Sequence, residues 1–334
     1  MDKKIRVVSL FAGCGGLDLG FEKAGYDIVW ANEYDKDIWA TYQLNHKSTF
    51  LDTRSITDIN ENEVPECEGI IGGPPCQSWS EGGAKRGLND SRGRLFYDYI
   101  RILKAKQPLF FLAENVSGML LDRHADALAG IKQAFKDAGY NLSFKMVNAS
   151  DYGVPQDRKR VFFVGLRKDL GFDFVFPEPL GIKLTLRDAI GDLPNDPLPI
   201  ANGIVHDRKT PKVPNHEYMI GGFSPIYMSR NRVRSWDEVS FTIQAQARQA
   251  PIHPQAPKMT FISENKREFK KGKEKLYRRL SVRECARIQT FPDDFVLVYD
   301  NIAMGYKMIG NAVPVNLAYE MAKAIRAQLS VFMK

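Results

Sequence analysis

The chain has little of what builds disulfide-linked or membrane-spanning proteins. It has 4 cysteines in 334 residues, too few for a disulfide framework at this length, so reduced cysteines are expected. No apolar run approaches the roughly 20 residues that cross a bilayer. With 44% hydrophobic and 26% charged residues, the composition excludes a disordered chain or coiled coil. It predicts one large globular domain, or one plus a smaller domain.

Basic charge is concentrated in one segment. The chain carries 47 Lys and Arg against 40 Asp and Glu, but residues 201–280 alone hold 16 against 7, a net charge of +9. The rest of the chain is therefore slightly acidic. A local basic field is typical of a nucleic-acid-binding surface. A lysine-rich surface exposed only to solvent is the alternative.

The first 170 residues alternate short apolar runs with helix-like stretches. Strands are predicted at 5–10, 28–31, 69–71, 109–113, 143–147 and 161–166, and helices at 17–24, 35–44, 94–104 and 124–138. This alternation predicts an α/β sheet with helices on both faces. Seven prolines between residues 177 and 214 indicate a linker or an irregular second domain. Leu317, Met321 and Ile325, spaced by four, predict a C-terminal helix.

A glycine-rich turn follows the first predicted strand, in the sequence Phe11-Ala12-Gly13-Cys14-Gly15-Gly16. Glycines there let the backbone approach a ligand at a helix N-terminus. The dinucleotide fingerprint is not met, because Asp18 stands where its third glycine would fall. Glu33, at the end of the second predicted strand, is placed to accept hydrogen bonds from ribose hydroxyls. The pattern favours an adenosine-containing cofactor, with a tight turn and a solvated glutamate as the alternative.

Cys76 lies in a second turn after an apolar run, in the sequence Gly72-Gly73-Pro74-Pro75-Cys76-Gln77-Ser78. A cysteine on a rigid corner is a candidate nucleophile if nearby N–H groups or cations stabilise its thiolate. A structural cysteine packed in a turn is the alternative. Residues 81–93 then contain four glycines and three cations, which predicts a mobile phosphate-binding lid rather than an ordinary surface loop.

Two further groups of polar residues follow predicted strands. Glu114 and Asn115 end the strand at 109–113, where a carboxylate in a partly apolar pocket is suited to share a proton with a base nitrogen. An acid at a helix N-terminus is the alternative. Gln156, Arg158 and Arg160 recur at spacing two and so share one face of an extended segment. Three polar donors there suit a polar ring or a phosphate, unless the edge is simply solvated.

In this order, the motifs resemble those of the bacterial DNA (cytosine-5) methyltransferases of restriction–modification systems. The family's cofactor, nucleophile, ENV and QxRxR motifs are matched by residues 11–16, 73–76, 113–116 and 156–160. Its ninth and tenth motifs are matched by residues 278–284 with 291–293 and by residues 310–314, so the resemblance covers nearly the whole chain. Members that methylate GGCC are the most similar, through residues 230–234 and 253–257.

The resemblance implies a fold and a reaction. The fold is a doubly wound, Rossmann-like α/β S-adenosylmethionine-dependent methyltransferase sheet, residues 1–180 plus 305–334, with a smaller, irregular, mostly β target-recognition domain at 181–304. In the reaction, the target cytosine is flipped out of the duplex and Cys76 adds to its C6. Glu114 protonates N3, and Arg158 and Arg160 hold the O2 side. Transfer of the methyl group to C5 leaves S-adenosylhomocysteine, and no metal is implied.

The resemblance also implies which residues bind cofactor and DNA. Glu33 would take the ribose hydroxyls, and Tyr34 would stack on the adenine. Ser55 occupies the position of an adenine-binding Asp in the family, with Asp52 as the alternative. The implied cofactor residues are Phe11, Gly13, Gly15, Gly16, Glu33, Tyr34, Ser55, Pro75, Leu95, Asn311 and Ala312. The implied DNA-binding residues are Ser78, Arg86, Arg230, Arg232, Arg234, Thr242 and Arg248, since Arg binds guanine edges or phosphates.

Three other functions stay open at this point: an RNA cytosine-5 methyltransferase, a DNA-binding regulator without catalysis, and a nicotinamide-dependent oxidoreductase. The basic segment favours DNA over RNA as the substrate. Catalysis is favoured by the presence of Cys76, Glu114 and Arg160. The absence of the third glycine disfavours a nicotinamide cofactor. We expect a monomeric, cytoplasmic, nucleoid-associated enzyme without membrane contact. It would methylate double-stranded DNA and protect it from a cognate restriction endonuclease. Residues 244–252 differ from the GGCC-type pattern, so the recognition sequence is left open.

Overall fold

The computed structural model describes residues 4–75, 91–201, 203–205 and 212–332. The chain forms two compact units. Unit 1 comprises Met1–Asn148, Lys159–Glu178 and Leu317–Lys334, and unit 2 comprises Ala149–Arg158 and Pro179–Asn316. The domains predicted from the sequence were defined by role, and they differ from these units at residues 149–158, 179–180 and 305–316. The roles assigned to those domains stay predictions.

Unit 1 is built on a seven-stranded sheet. Its strands are β1 (Ile5–Leu10), β2 (Tyr26–Asn32), β3 (Phe50–Asp52), β4 (Gly69–Gly72), β5 (Phe110–Val116), β6 (Tyr140–Asn148) and β7 (Lys159–Arg167). Their order is β3-β2-β1-β4-β5-β7-β6, and β7 alone runs antiparallel to both of its neighbours. The order reverses between β1 and β4, where the carboxyl ends of parallel strands leave a crevice that suits a ligand.

The central strands contain buried apolar runs because helices cover the sheet. Phe110, Phe111, Leu112 and Ala113 of β5 are fully buried. The helices of this part are α1 (Gly16–Lys23), α2 (Lys36–Asn45), α3 (Ser91–Lys106) and α4 (Ala125–Asp137). All ten elements predicted for the first 170 residues are confirmed. Strand β3 was not predicted, since three residues are too few to show a period.

Unit 2 has little regular structure. Its helices and strands are α5 (Leu186–Ile190), β8 (Leu198–Ile200), β9 (Glu217–Met219), α6 (Pro225–Met228), β10 (Thr260–Ser263), β11 (Lys266–Glu268), α7 (Val282–Ile288) and α8 (Ile302–Asn311). The strands form two separate pairs, β8 with β9 and β10 with β11. The irregular texture that the prolines predicted is confirmed. Short helices share the regular part with the strands, so β structure does not dominate there.

The predicted C-terminal helix is α9 (Val315–Leu329). Leu317, Met321 and Ile325 are fully buried on one face of it, as their spacing predicted. Within unit 1, Arg326 donates a 2.6 Å hydrogen bond to the carbonyl of Ala24, which fixes this helix beside the end of α1. No helix in the described ranges is long and apolar enough to cross a membrane.

Candidate functional site

The glycine turn and Glu33 lie together at the carboxyl edge of the sheet. The backbone takes positive φ at Phe11, Gly13 and Gly15, and α1 begins at Gly16 without a side-chain cap. The amide of Gly13 donates a 2.9 Å hydrogen bond to Oε2 of Glu33, and the amide of Asp35 donates to Oε1 at 2.8 Å. The turn therefore presents an uncapped helix N-terminus beside a fixed carboxylate, which suits a cofactor with ribose hydroxyls.

A buried polar cluster lies against this turn. The fully buried carboxylate of Asp18 accepts hydrogen bonds from Ser9 Oγ and Tyr42 Oη, both at 2.6 Å. The ring of His46 stacks on Tyr42 with 4.5 Å between ring centroids. A Cβ atom on Gly15 would lie 2.0 Å from His46 Nε2. Residue 15 must therefore be glycine for two reasons, its φ of 87° and the imidazole ring beside it.

The ionisable groups of this cluster interact with one another within unit 1. Nδ1 of His46 lies 3.1 Å from Oε1 of Glu22. Burial alone would lower the pKa of His46, but Glu22 and Asp18 raise it on balance. Burial raises the pKa of Asp18. His46 was not predicted from the sequence, and the one signal for Asp18 was that it stands where a glycine was expected.

The other predicted cofactor residues of unit 1 have varied surroundings. Tyr34 is 71% exposed directly after Glu33, whereas Leu95 packs against the core beside the sheet. Ser55 caps a short turn by accepting from the amide of Thr57. Asn311 and Ala312 lie in unit 2, at the end of α8.

Asp52, the alternative to Ser55, ends β3 and is held by Arg54, with a 2.7 Å contact from Nη2 to Oδ2. Burial acts to raise the pKa of Asp52, but hydrogen bonds and charge from Arg54 lower it on balance. Asp52 is therefore an ionised acceptor already engaged by Arg54. The choice between Ser55 and Asp52 as the adenine contact stays open.

A second polar group lies where β4, β5 and β7 meet. The register pairs Gly72 with Ala113, and Val116 with Arg160. This pairing brings Nε of Arg160 within 2.9 Å of Oε1 of Glu114. Glu114 is 8% exposed, so the ion pair is largely shielded from water. Burial lowers the pKa of Arg160, which the charge of Glu114 opposes.

The residues that precede Cys76 lie beside this ion pair. A Cβ atom on Gly73 would lie 3.6 Å from Oε2 of Glu114, so the backbone runs close to the carboxylate. Nδ2 of Asn115 donates to the carbonyl of Pro74 at 3.3 Å, a contact that the sequence did not suggest. Pro75 is the last described residue of this segment. The predicted residues Cys76, Ser78 and Arg86 lie outside the described residues.

Arg158 and Arg160 have different surroundings despite their spacing. Arg158 is 1% exposed and donates to the carbonyls of Ile243, Gly310 and Ala312 at 2.9–3.0 Å, all within unit 2. The side chain of Gln156 also bonds within unit 2, to Gln289 and to the amide of Ile243. Strand β7 begins at Lys159, so of the three predicted donors only Arg160 belongs to the sheet.

The predicted DNA-binding residues of unit 2 differ in what they bind. Arg232 donates to the carbonyls of Tyr227 and Ile226, and Arg234 pairs with Glu238 at 3.3 Å. Thr242 donates to the carbonyl of Asp157 at 2.6 Å. Arg230 and Arg248 are exposed, and neither has a side-chain partner in the described part of the chain. Those two are the arginines best placed to bind a ligand from solution.

The described ranges contain no cluster of three His, Cys, Asp or Glu side chains that suits a metal ion. Burial raises the pKa of Cys14 and of Cys67 to about 12, and it also raises the pKa of the fully buried Cys285. None of these three cysteines therefore carries a thiolate near neutral pH.

Comparison with known proteins gives consistent matches along the chain. The family model for C-5 cytosine-specific DNA methylases matches residues 5–327. The Type II methyltransferase M.NgoPII of Neisseria gonorrhoeae is 57% identical over 331 residues, 97% of this chain and 96% of that protein. M.MthTI of Methanothermobacter thermautotrophicus, also a Type II methyltransferase, is 55% identical over 323 residues, 97% of each chain. A mutant of Spodoptera frugiperda DNMT2 has a similar fold, with a TM-score of 0.69 at 19% identity over 96% of this chain and 99% of that one.

Proposed function

Because the chain belongs to the family of C-5 cytosine-specific DNA methylases, we propose that Cys76 is its nucleophile and Glu114 the group that protonates cytosine N3. The protein is a DNA (cytosine-5) methyltransferase. The observation that carries the assignment is the shielded Glu114–Arg160 pair beside Gly73 and Pro74. It supports a site in which a carboxylate lies beside the backbone that leads to Cys76.

In the proposed reaction the chain's own groups make C5 reactive. The Cys76 thiolate forms a bond to C6 as Glu114 delivers a proton to N3, and the ring becomes an enamine whose C5 is nucleophilic. Arg160 orients the Glu114 carboxylate and binds the O2 side of the ring. Arg158, which the resemblance also implied for that role, is bonded to three backbone carbonyls of unit 2 instead. After methylation, water takes the C5 proton, the thiolate leaves and N3 returns its proton to Glu114, which restores the aromatic ring and the starting carboxyl group. Because the target atom is inaccessible in a duplex, the cytosine must first be flipped out.

We propose S-adenosylmethionine as the methyl donor, which supplies an electrophilic methyl group on a sulfonium. The glycine turn with its uncapped helix N-terminus, the fixed Glu33 carboxylate and the exposed Tyr34 ring fit such a molecule. Glu33 would bind the ribose and Tyr34 the adenine, with Ser55 or Asp52 at the amino group. The other proposed contacts are Phe11, Gly13, Gly15, Gly16, Pro75, Leu95, Asn311 and Ala312.

The test of the nucleophile uses DNA that contains 5-fluorocytosine, because fluorine cannot leave as a proton does. Wild-type protein should form a covalent, denaturation-resistant adduct, and Cys76→Ser should form none. Cys67→Ser is the matched control and should form the adduct, because burial keeps Cys67 protonated. An adduct with Cys76→Ser would refute the assignment. Tritium from a labelled methyl donor should be incorporated into DNA and not into RNA.

The finer biological role is also a proposal. M.NgoPII and M.MthTI are named Type II methyltransferases, which supports the proposal that this enzyme protects DNA from a partner restriction endonuclease. We also propose that it acts as a monomer. GGCC is the first recognition sequence to test. Bisulfite sequencing of plasmid methylated in vivo will identify the modified cytosine and its neighbours. Methylation spread over unrelated sequences would exclude a protective role at one site.

A further inference from the structure

His46 is a buried histidine of unit 1 that the proposed reaction does not use. It lies at the end of α2, 2% exposed, with its ring stacked on Tyr42. Its Nε2 atom faces the backbone of the glycine turn so closely that a Cβ atom on Gly15 would lie 2.0 Å away. The ring also interacts with the backbone of Cys14, which favours its protonated form. His46 is therefore in direct contact with the turn that is proposed to bind the cofactor.

Two carboxylates of α1 also face the imidazole ring. Nδ1 of His46 lies 3.1 Å from Oε1 of Glu22, whose side chain is 27% exposed. Asp18 is fully buried, and the groups that donate hydrogen bonds to it are the neutral hydroxyls of Ser9 and Tyr42. A buried carboxylate stays ionised more readily beside a positive charge, and the charge of His46 acts on Asp18 in this way. The ring therefore links the carboxylates of α1 to the glycine turn.

These surroundings favour the charged form of the ring. Burial acts to lower the pKa of His46, but the hydrogen bond with Glu22 and the charges of Asp18 and Glu22 raise it on balance. The carboxyl end of a helix such as α2 also favours a positive charge. The thiol of Cys14 and the hydroxyl of Tyr42 stay neutral near pH 7, because burial raises the pKa of both. His46 therefore supplies the positive charge of this cluster.

A charged imidazole holds its two sets of neighbours at once. The imidazolium carries an N–H group on each nitrogen, so it can donate toward Glu22 and toward the glycine turn together, whereas the neutral ring has one N–H group. Loss of the proton therefore weakens the contact on one side. A ligand that binds only one shape of the turn loses affinity in proportion to the fraction of molecules that leave that shape.

We propose that His46 is a positioning residue of the cofactor site, whose charged form holds the glycine turn in the shape that binds S-adenosylmethionine. Cofactor binding and protonation of His46 then favour one another by the same factor. The inference rests on the proposed function, because S-adenosylmethionine is the proposed ligand of the turn. It gives a role to a side chain that lies outside the motifs on which the resemblance was based.

The pH dependence of cofactor binding tests this link. The affinity of wild-type protein for S-adenosylhomocysteine, measured by calorimetry from about pH 6 to about pH 9, should fall by roughly 3- to 10-fold as the pH rises through the raised pKa of His46. Near that pH the complex should take up part of a proton as it forms, which calorimetry in buffers of different ionisation enthalpy measures. His46→Gln should lose both effects, because an amide does not titrate. Titration of the ligand itself is the same for both proteins and cancels.

Glu22→Gln tests the link without a change to the ring. It removes a carboxylate that favours charged His46, so the midpoint of the pH profile should move to lower pH by about half a unit to one unit. Glu66→Gln is the matched control, since Glu66 is an exposed carboxylate of unit 1 that pairs with Lys106, and its midpoint should equal that of wild type. Thermal melting shows whether each variant is folded, and Glu22→Gln decides the question if His46→Gln is not.

The inference is wrong if wild type and folded His46→Gln bind S-adenosylhomocysteine with the same pH profile, or if Glu22→Gln leaves the midpoint where it is in wild type. His46 would then be a packing residue without a link to the cofactor. Wild-type protein that binds no S-adenosylhomocysteine at any pH would be a different result, because it would overturn the proposed cofactor and this inference together.

Discussion

The two units bury polar groups in different ways. In unit 1 the sheet pairs the backbone groups of its strands, and the buried Asp18 bonds to the side chains of Ser9 and Tyr42. In unit 2 three buried arginines bond to backbone carbonyls. Arg158, Arg279 and Arg283 each donate to three carbonyls.

The difference follows from how much regular structure each unit has. A buried carbonyl group needs a hydrogen-bond donor, and an irregular loop has no neighbouring strand whose N–H groups supply one. A guanidinium offers five N–H donors in a rigid plane and keeps its charge when buried. One arginine can therefore join several loops, as Arg283 does with the carbonyls of Pro214, Pro292 and Phe295. Buried arginine in unit 2 has the structural role that strand pairing has in unit 1.

The largest expected effect concerns the polar edge of unit 1. Glu114→Gln should slow methyl transfer by about 10²–10⁴-fold, because an amide contacts the ring without delivering a proton. Single-turnover transfer of labelled methyl groups measures this rate. Glu61→Gln, which neutralises a carboxylate paired with Arg101, should react at the wild-type rate. A Glu114→Gln rate within about threefold of wild type would show that the N3 proton comes from elsewhere.

The next effect tests whether buried arginine supports unit 2. Arg158→Leu should lower the free energy of unfolding by about 3 kcal/mol, because it leaves three buried carbonyl groups without their hydrogen-bond donor. Arg230→Ala should change it by less than about 0.5 kcal/mol, since that side chain is exposed and unpartnered among the described residues. Urea unfolding gives both values. Equal changes in the free energy of unfolding would contradict the difference between buried, carbonyl-bound arginines and exposed arginines.

A smaller effect is expected at the glycine turn of unit 1. Gly15→Ala should weaken binding of the methyl donor about tenfold or more, because the backbone has positive φ at this position and the new Cβ would clash with His46. Gly13→Ala is the matched control, since its φ is also positive but nothing lies within 4 Å of the added atom. Its loss should be smaller. Calorimetry with S-adenosylhomocysteine measures both affinities, and equal losses would mean that the imidazole does not shape the turn.

The smallest effect is a pH dependence of opposite sign in the two units. Burial lowers the pKa of His253 in unit 2 to about 4, so the unfolded chain takes up the proton first, and stability falls as pH drops from 6.5 toward 4 by about 1–3 kcal/mol. In unit 1, protonated His46 is favoured by Glu22 and Asp18. Its contribution is full below pH 6.5 and is lost as pH rises through its raised pKa.

Unfolding from pH 4.5 to 8 of wild type, His253→Gln and His46→Gln separates these contributions. His253→Gln should make the loss of stability in acid smaller than in wild type. His46→Gln should make the loss of stability at higher pH smaller than in wild type. If both variants keep the wild-type pH profile, neither histidine controls stability.

The sheet of unit 1 was predictable because most of its long strands contain a short apolar run, and such a run shows in one sequence. The carboxyl edge was predictable too, since Glu33 and Glu114 directly follow such runs. The partners of these residues were not. Arg160 meets Glu114 because β7 enters the sheet antiparallel beside β5, and spacing along the chain does not reveal that pairing.

By itself, the sequence determined the α/β class, the reaction family and the order of the motifs, because strand periodicity and short motifs are local properties. Only the tertiary structure separated Arg158 from Arg160, although two residues apart they had seemed to share one face. It also placed His46 against Gly15 and gathered Arg248, Arg279 and Lys307 around one cavity. These arrangements join residues distant along the chain. They depend on which donors form hydrogen bonds with the buried backbone carbonyls. The sequence of a single segment does not specify those donors.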